Sequence, residues 1–335
     1  MKPTFILQKE IIDELFVREE DFISFIKFLK KKFRDYTLIT NFTDVDDFFK
    51  CAEENPLLEI LIDKFDKIKY KVNLNELIQD KSILKKLSKR TIALSDIDDS
   101  ICNDYLNNHG CLFFNLSLLK NWKLYEDIIK SKTLKVTIDR TYPANYRFKE
   151  FKDFTRYFQF CDTLIIFDKY IFEDKTDQRL KNNLYKLLEE ILSNKIKMEI
   201  TIISEFREDE ITKNYIELNE YLNSKNFNNY SLNLIHHSKV FYPRKVEKLH
   251  SRFILSNYIH IRSNDSFNFF KDNGEFNNLV DIDIMFNLTT QNSFSYLKDL
   301  NTTKIYLSKI KNEEKCANKN LRITYYENKS NSLLN

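Results

Sequence analysis

A histidine, an arginine and an asparagine stand at fixed intervals in the stretch Lys248-Leu249-His250-Ser251-Arg252-Phe253-Ile254-Leu255-Ser256-Asn257. His250 precedes Arg252 by two residues and Asn257 by seven. An imidazole can attack phosphorus or carry a proton. A guanidinium next to it can grip the non-bridging oxygens of a phosphate through paired N–H donors. The combination points to chemistry on a phosphate ester. Both side chains must then share one face. The apolar run Phe253-Ile254-Leu255, bounded by polar residues, predicts a buried strand over Leu249–Leu255. Strand side chains alternate, so His250 and Arg252 project together. The competing explanation is a His and an Arg that merely flank a core strand, because short motifs recur by chance.

The frame His250-x-Arg252-x4-Asn257 resembles the signature of the phospholipase D superfamily, His-x-Lys-x4-Asp followed after six residues by Gly-Ser-x-Asn. Ser266-Phe267-Asn268 stands in for the Ser-x-Asn element, one residue out of phase. The run Asp281-Ile282-Asp283-Ile284-Met285-Phe286 is similar to the acidic strand that follows the signature. Arg252 replaces the lysine, Asn257 the aspartate, and Asn264-Asp265 the Gly-Ser pair. The resemblance covers residues 134–310 and is specific in its signature block alone.

What the resemblance implies is metal-independent cleavage of a phosphodiester, nucleic acid foremost, with no cofactor. His250 would form a phosphohistidine and Arg252 would clamp the phosphate. Asn257, Ser266 and Asn268 would supply hydrogen bonds, and Asp281 would orient an imidazole. The family strand equivalent to Thr163–Phe167 lines the site, which would place Asp168 near His250. Each site in the family needs two signatures. The pairs His237-Ser238-Lys239 and His260-Ile261-Arg262 carry Arg244 and Phe267 at the aspartate position, so His250 heads the one credible copy. A homodimer uniting two copies of His250 is therefore expected. The rival expectation is a fold of the same kind that binds a phosphorylated ligand, nucleic acid or another protein subunit without chemistry.

The elements that must position these residues follow from periodicity. Strands are predicted at Thr4–Leu7, Tyr36–Thr40, Ile92–Leu94 and Cys111–Asn115. Helices fall between and after them, at Glu19–Phe33, Asp44–Ala52, Leu57–Ile68, Asn75–Leu87, Asp98–Asn107 and Leu118–Ser131. Strands are predicted again at Leu134–Asp139, Thr163–Phe167, Met198–Ser204, Ser231–His236, Tyr258–Ile261, Val280–Phe286 and Lys304–Leu307. Helices are expected at Arg147–Phe160, Leu180–Ser193 and Ile211–Ser224. The fold class is α/β. An N-terminal α/β module, residues 1–131, precedes a domain over 132–310 that the resemblance makes a phospholipase D-like α/β/α sandwich. Residues 311–335 form a polar tail in which Leu321–Tyr326 can add an edge strand.

Composition narrows the alternatives. The chain has 335 residues, 42% hydrophobic and 31% charged, which is globular composition. Gly110 and Gly274 are its only glycines, so neither a P-loop nor a dinucleotide fingerprint can be built. Five cysteines without a Cys-x-x-Cys pair, and an N-terminus without a long apolar core, lead us to expect a cytoplasmic protein with reduced thiols and no zinc site. No run approaches the ~18 apolar residues of a spanning helix.

A net charge of +3 gives no global basic field, so any contact with nucleic acid must be local. Arg244, Lys245 and Lys248 could supply it, or could solvate a loop. Asp44, Asp46 and Asp47, and Asp96, Asp98 and Asp99, follow predicted strands. They could hold Mg²⁺ in a nuclease of the PIN type, or serve as helix caps. His236 or His237, of which strand alternation lets at most one face the site, and His260 could join it or satisfy local hydrogen bonds.

Overall fold

A computed structural model describes residues 3–31, 33, 36–65, 67–79, 90–129, 132–136, 147–172, 176–193, 196–204, 210–236, 252–277, 279–287, 290–313, 325–326 and 331–334 of this α/β chain. Two units are distinguished, Met1–Lys130 with Phe286–Phe294 and Ser131–Met285 with Ser295–Asn335.

In the first unit, β1 (Thr4–Leu7), β2 (Thr37–Thr40), β3 (Lys67–Lys69), β4 (Thr91–Leu94) and β5 (Leu112–Phe114) form a parallel sheet in the order β3-β2-β1-β4-β5. Every residue of β1, β4 and β5 is buried, as both faces of a parallel sheet require. Ile6, Ile39, Ala93 and Phe113 pack on one face against Leu74, Ile78 and Tyr105. Alternation sends Phe5, Leu38 and Ile92 to the opposite face. Gly110, at φ 61°, follows the end of the helix Asp99–Asn108 in the left-handed conformation that stops a helix.

Three of the candidate carboxylates of the first unit, Asp44, Asp47 and Asp99, are engaged in its own architecture. Asp44 caps the helix Val45–Glu54 by accepting the Asp47 N–H at 2.9 Å. Asp47 in turn holds the Lys9 ammonium and the Thr43 N–H. Asp99 accepts from Asn115 and Ser117. Among the described residues, no group of three His, Cys, Asp or Glu side chains could hold a metal ion.

In the second unit the strands are β6 (Lys132–Val136), β7 (Arg147–Phe148), β8 (Thr163–Phe167), β9 (Met198–Ser204), β10 (Tyr230–His236), β11 (Arg252–Ser256), β12 (Ile259–Ser263), β13 (Val280–Phe286) and β14 (Tyr325–Tyr326). They lie in the order β14-β10-β9-β8-β11-β12-β13-β6-β7. β8, β9 and β10 are parallel, and β11 runs antiparallel to β8 and to β12. The sheet is mixed: a parallel block, β8 to β10, is flanked by antiparallel strands, of which β11 and β12 form a hairpin that needs no crossover helix.

One face of this sheet presents Ile165, Phe167, Ile203, Ile235, Phe253 and Leu255. The helix Thr290–Glu313 covers them through Tyr296 and Leu300. Lys304–Leu307, predicted as a strand, lies inside this helix. Tyr296, Leu300 and Thr303 recur at helical spacing and are buried, so a longer amphipathic pattern overrides the short apolar run. The segment predicted as one helix over Arg147–Phe160 is instead the short strand β7, a helical turn Lys152–Thr155 and a 3₁₀ turn Arg156–Phe158. There the sheet edge captures the start of the run, Phe148 pairing with Val136.

The edge strand expected near Leu321–Tyr326 is found at Tyr325–Tyr326, paired with β10. Beyond it the chain returns to the core. The Asn331 amide donates to the carbonyls of Leu164 and Glu199, and Leu333 joins the apolar cluster.

Candidate functional site

The antiparallel register of β8 and β11 pairs Phe167 with Phe253. The residues one step further out, Asp168 and Arg252, therefore stand side by side on the face opposite Phe253. They also stand at the C-terminal end of β8, the end at which open α/β sheets build their sites.

Asp168 is fully buried, and three donors hold its carboxylate. Oδ1 accepts the Tyr170 N–H at 3.0 Å. Oδ2 accepts the Ser266 hydroxyl at 2.8 Å and the Phe267 N–H at 2.7 Å. All three lie within normal hydrogen-bond length, and the Phe267 N–H bond is the shortest. Burial pushes the Asp168 carboxyl above the ordinary aspartate range. The Tyr170 and Phe267 N–H groups, the Ser266 hydroxyl and the Arg252 charge work against that rise.

The bonds to Asp168 lash the segment 266–268 onto the turn 168–170. Asn268 completes the lacing, its amide donating to the Tyr170 carbonyl at 2.8 Å and to Ser266 Oγ at 3.1 Å. A second anchor lies further along, where Asn183 is buried in a π-helical segment, Lys181–Tyr185. It exchanges two hydrogen bonds with the Phe270 backbone, at 2.8 and 2.9 Å. Such π segments open a helix where a side chain must reach out.

Arg252 lies at the open side of this lattice, half-buried. Nη1 donates to the Asn264 carbonyl at 3.1 Å, and the guanidinium carbon sits 5.1 Å from the centre of the Tyr170 ring. Its Nε is buried and meets no hydrogen-bond partner among the described residues. No ion pair joins Arg252 to Asp168 among the described residues; the carboxylate accepts from Tyr170, Ser266 and Phe267. The arrangement is a cation fixed by Asn264 and beside Tyr170, of a kind suited to an anion.

The structure brings four of the sequence-predicted residues together, namely Asp168, Arg252, Ser266 and Asn268. Asp281 reaches the same loop through its backbone, its N–H donating to Asn264 Oδ1 at 3.1 Å. Asn257 is not brought there. It lies past the other end of β11, about 16 Å along the strand from Arg252 at ~3.3 Å per residue. It is fully buried, its Oδ1 accepting the Asp162 N–H and its Nδ2 donating to the Phe160 carbonyl. That placement ties the hairpin turn to the start of β8 instead of facing a ligand. His250, Lys248 and His237 lie outside the described residues.

His260 sits on the opposite face. Its side chain is buried, with Nε2 2.9 Å from Asp299 Oδ2 and the Arg262 guanidinium 3.3 Å from the same oxygen. Burial, reinforced by Arg262, holds the imidazole below its ordinary pKa, and Asp299 only partly offsets this.

Tyr170 becomes a neighbour of Arg252 through the β8–β11 register, which no local signal in the sequence sets. Among the described residues, no helix is long and apolar enough to cross a membrane. No family model and no curated protein matches the chain.

Proposed function

We propose that the second unit is a phospholipase D-like phosphodiesterase acting on nucleic acid through a phosphohistidine. The observation that carries this reading is the convergence of Arg252 with the Ser266–Asn268 segment at the end of β11, two residues after His250 in sequence. The cation spacing of the signature thus coincides with an anion-ready corner of the sheet.

In this mechanism a ring nitrogen of His250 attacks phosphorus while Arg252 neutralises the non-bridging oxygens. The P–N bond forms, the P–O bond to the leaving sugar breaks, and the departing oxygen takes a proton from a second imidazole. That imidazole is the His250 of a second copy of the chain in a homodimer. Water then hydrolyses the phosphohistidine, releasing the phosphate product and restoring both rings.

One observation favours the rival, a binding module without chemistry. The Ser266 hydroxyl proton and the Asn268 amide are committed to Asp168, the Tyr170 carbonyl and Ser266. Those side chains brace the loop instead of reaching a ligand, and Arg252 is left as the main contact.

Labelled single- and double-stranded DNA and RNA, incubated with the protein in EDTA beside His250→Ala, separate the two. Cleavage that survives chelation and vanishes in the variant is expected. Retention of a labelled oligonucleotide without cleavage would establish the binding module instead.

A further inference from the structure

The parallel block β8 to β10 carries a cavity at the end far from Arg252. Its volume is about 240 Å³, and it lies between the start of β10 and the helix Ile211–Ser224. Tyr230, in its lining, pairs with Met198, and from there β9 runs to Ile203, whose carbonyl takes the Asp168 N–H. Five steps of ~3.3 Å put the cavity roughly 16 Å from the Arg252 corner along the strands. It is a separate place on the second unit.

Tyr215, Asn219 and Asn223 recur every four residues and so share one face of the helix. The Tyr230 hydroxyl stands 2.7 Å from Asn219 Oδ1 and 3.2 Å from Asn223 Oδ1. Burial raises the Tyr230 phenol above its ordinary pKa, so it stays a donor. One hydroxyl thus gathers both amide oxygens, while the two Nδ2 groups meet no partner among the described residues. Each of those nitrogens keeps two N–H donors for the cavity. The connection back to β10 is held as well. Asn226 takes the left-handed conformation, at φ 61°, and the Phe227 N–H donates to the Leu222 carbonyl at 3.2 Å.

No residue lining the cavity carries a charge, in a chain that is 31% charged. Such a lining disfavours a phosphate, a carboxylate or a metal ion and suits a neutral ligand that brings bare acceptors. A sugar fits poorly, because each hydroxyl adds a proton that needs an acceptor, and Tyr230 engages the amide oxygens first. A nucleobase edge brings ring nitrogens and carbonyl oxygens without protons. Asparagine pairs with such edges, and tyrosine rings supply surface for a flat base. The volume falls below the ~300–1,000 Å³ of sites for drug-sized ligands, as a site for a single base should.

We propose that this cavity is a nucleobase-binding site, in which Asn219 and Asn223 read the base edge and Tyr230 is the positioning residue that orients their amides. Guanine, with acceptors at N7 and O6, matches the donor-rich pair best. The base belongs to a free nucleoside or to a nucleic-acid strand, and the recognising chemistry is the same for both. The inference does not depend on the reading of Arg252.

The test is calorimetric titration of the full chain with guanosine, adenosine and glucose. The variants are Asn219→Ala/Asn223→Ala, the single Asn223→Ala at its exposed position, Tyr230→Phe and Arg252→Ala, with melting temperatures as the check on folding. Guanosine is expected to bind the wild type and Arg252→Ala alike. The double variant should lose roughly five- to 150-fold in affinity, the worth of one bidentate base contact, and Asn223→Ala a part of that. Tyr230→Phe keeps the ring and should lose the preference for guanosine over adenosine. A short oligonucleotide with one guanine, set beside its abasic counterpart, separates the two sources of the base. The guanine should add affinity in the wild type and none in the folded asparagine variants.

Guanosine binding that the folded asparagine variants retain in full overturns the assignment, as does its loss in Arg252→Ala or a preference for glucose. If guanosine does not bind but the guanine of the oligonucleotide adds affinity that the asparagine variants lose, the site takes a base within a strand. If neither adds anything, the proposal is overturned. Tyr230→Phe with the affinity and preference of the wild type overturns the positioning role.

Discussion

Asp168 stands beside Arg252 across the β8–β11 register, yet its carboxylate bonds to Tyr170, Ser266 and Phe267 and not to the guanidinium. A buried acid therefore organises the corner, and the cation next to it stays available. Removing that acid leaves two N–H groups and a hydroxyl without their acceptor. Asp168→Ala should destabilise the chain by about 2–4 kcal/mol, the scale of a broken buried network. Urea unfolding measures it. A loss within about 0.5 kcal/mol, as at an ordinary surface site, would show that the lattice does not hold the corner.

Asn257 and Arg252 should separate stability from binding. Asn257→Ala removes a buried amide that ties the hairpin turn to the backbone of Phe160 and Asp162. It should cost about 1–3 kcal/mol and leave oligonucleotide affinity unchanged. Arg252→Ala should do the reverse, with a small change in melting temperature and a large loss of affinity. An Asn257→Ala variant that folds normally and fails to bind would return this residue to the site.

How much of this was legible in the sequence depended on the range of the interaction. The alternation of strands and helices, the burial of Phe253-Ile254-Leu255 and the caps at Asp44 follow from local pattern. The position of Asn257 at the far end of β11 follows from strand spacing alone, since five residues of extended chain cannot curl back. By contrast, the pairing of Asp168 with Arg252 joins residues far apart in sequence, and no local signal sets the antiparallel register. The helical state of Lys304–Leu307 was hidden for a related reason. Short apolar runs suit either structure until the longer pattern through Tyr296 and Leu300 is weighed.

His260 sets a pH dependence of stability. Burial lowers its folded pKa, so the unfolded chain binds the proton more readily. The stabilisation is therefore present above the unfolded value of about 6.5 and is lost as pH falls through the folded value. His260→Gln should flatten the acid side of the stability curve below about pH 6.5. Chemical denaturation at a series of pH values reads this directly, and an unchanged acid limb would remove His260 as its source.

Cysteine reactivity should follow burial. Burial pushes the thiols of Cys102 and Cys161 up to about 12, far from the thiolate that reacts. Cys161 is also packed 3.0 Å from the Ser256 hydroxyl. Iodoacetamide applied to the native chain should spare both and modify the half-buried Cys51 and Cys111, as peptide mass spectrometry would show. Rapid native alkylation of Cys161 would mean that the start of β8 opens readily.

The most direct measurement of the central claim is a search for the covalent intermediate. The protein in excess is mixed with an oligonucleotide in EDTA, quenched early at alkaline pH, and digested for mass spectrometry. A phosphoryl adduct on His250 that is lost in acid and absent from His250→Ala is the predicted result. Cleavage in EDTA with no adduct on His250, or cleavage undiminished in His250→Ala, would contradict the phosphohistidine mechanism.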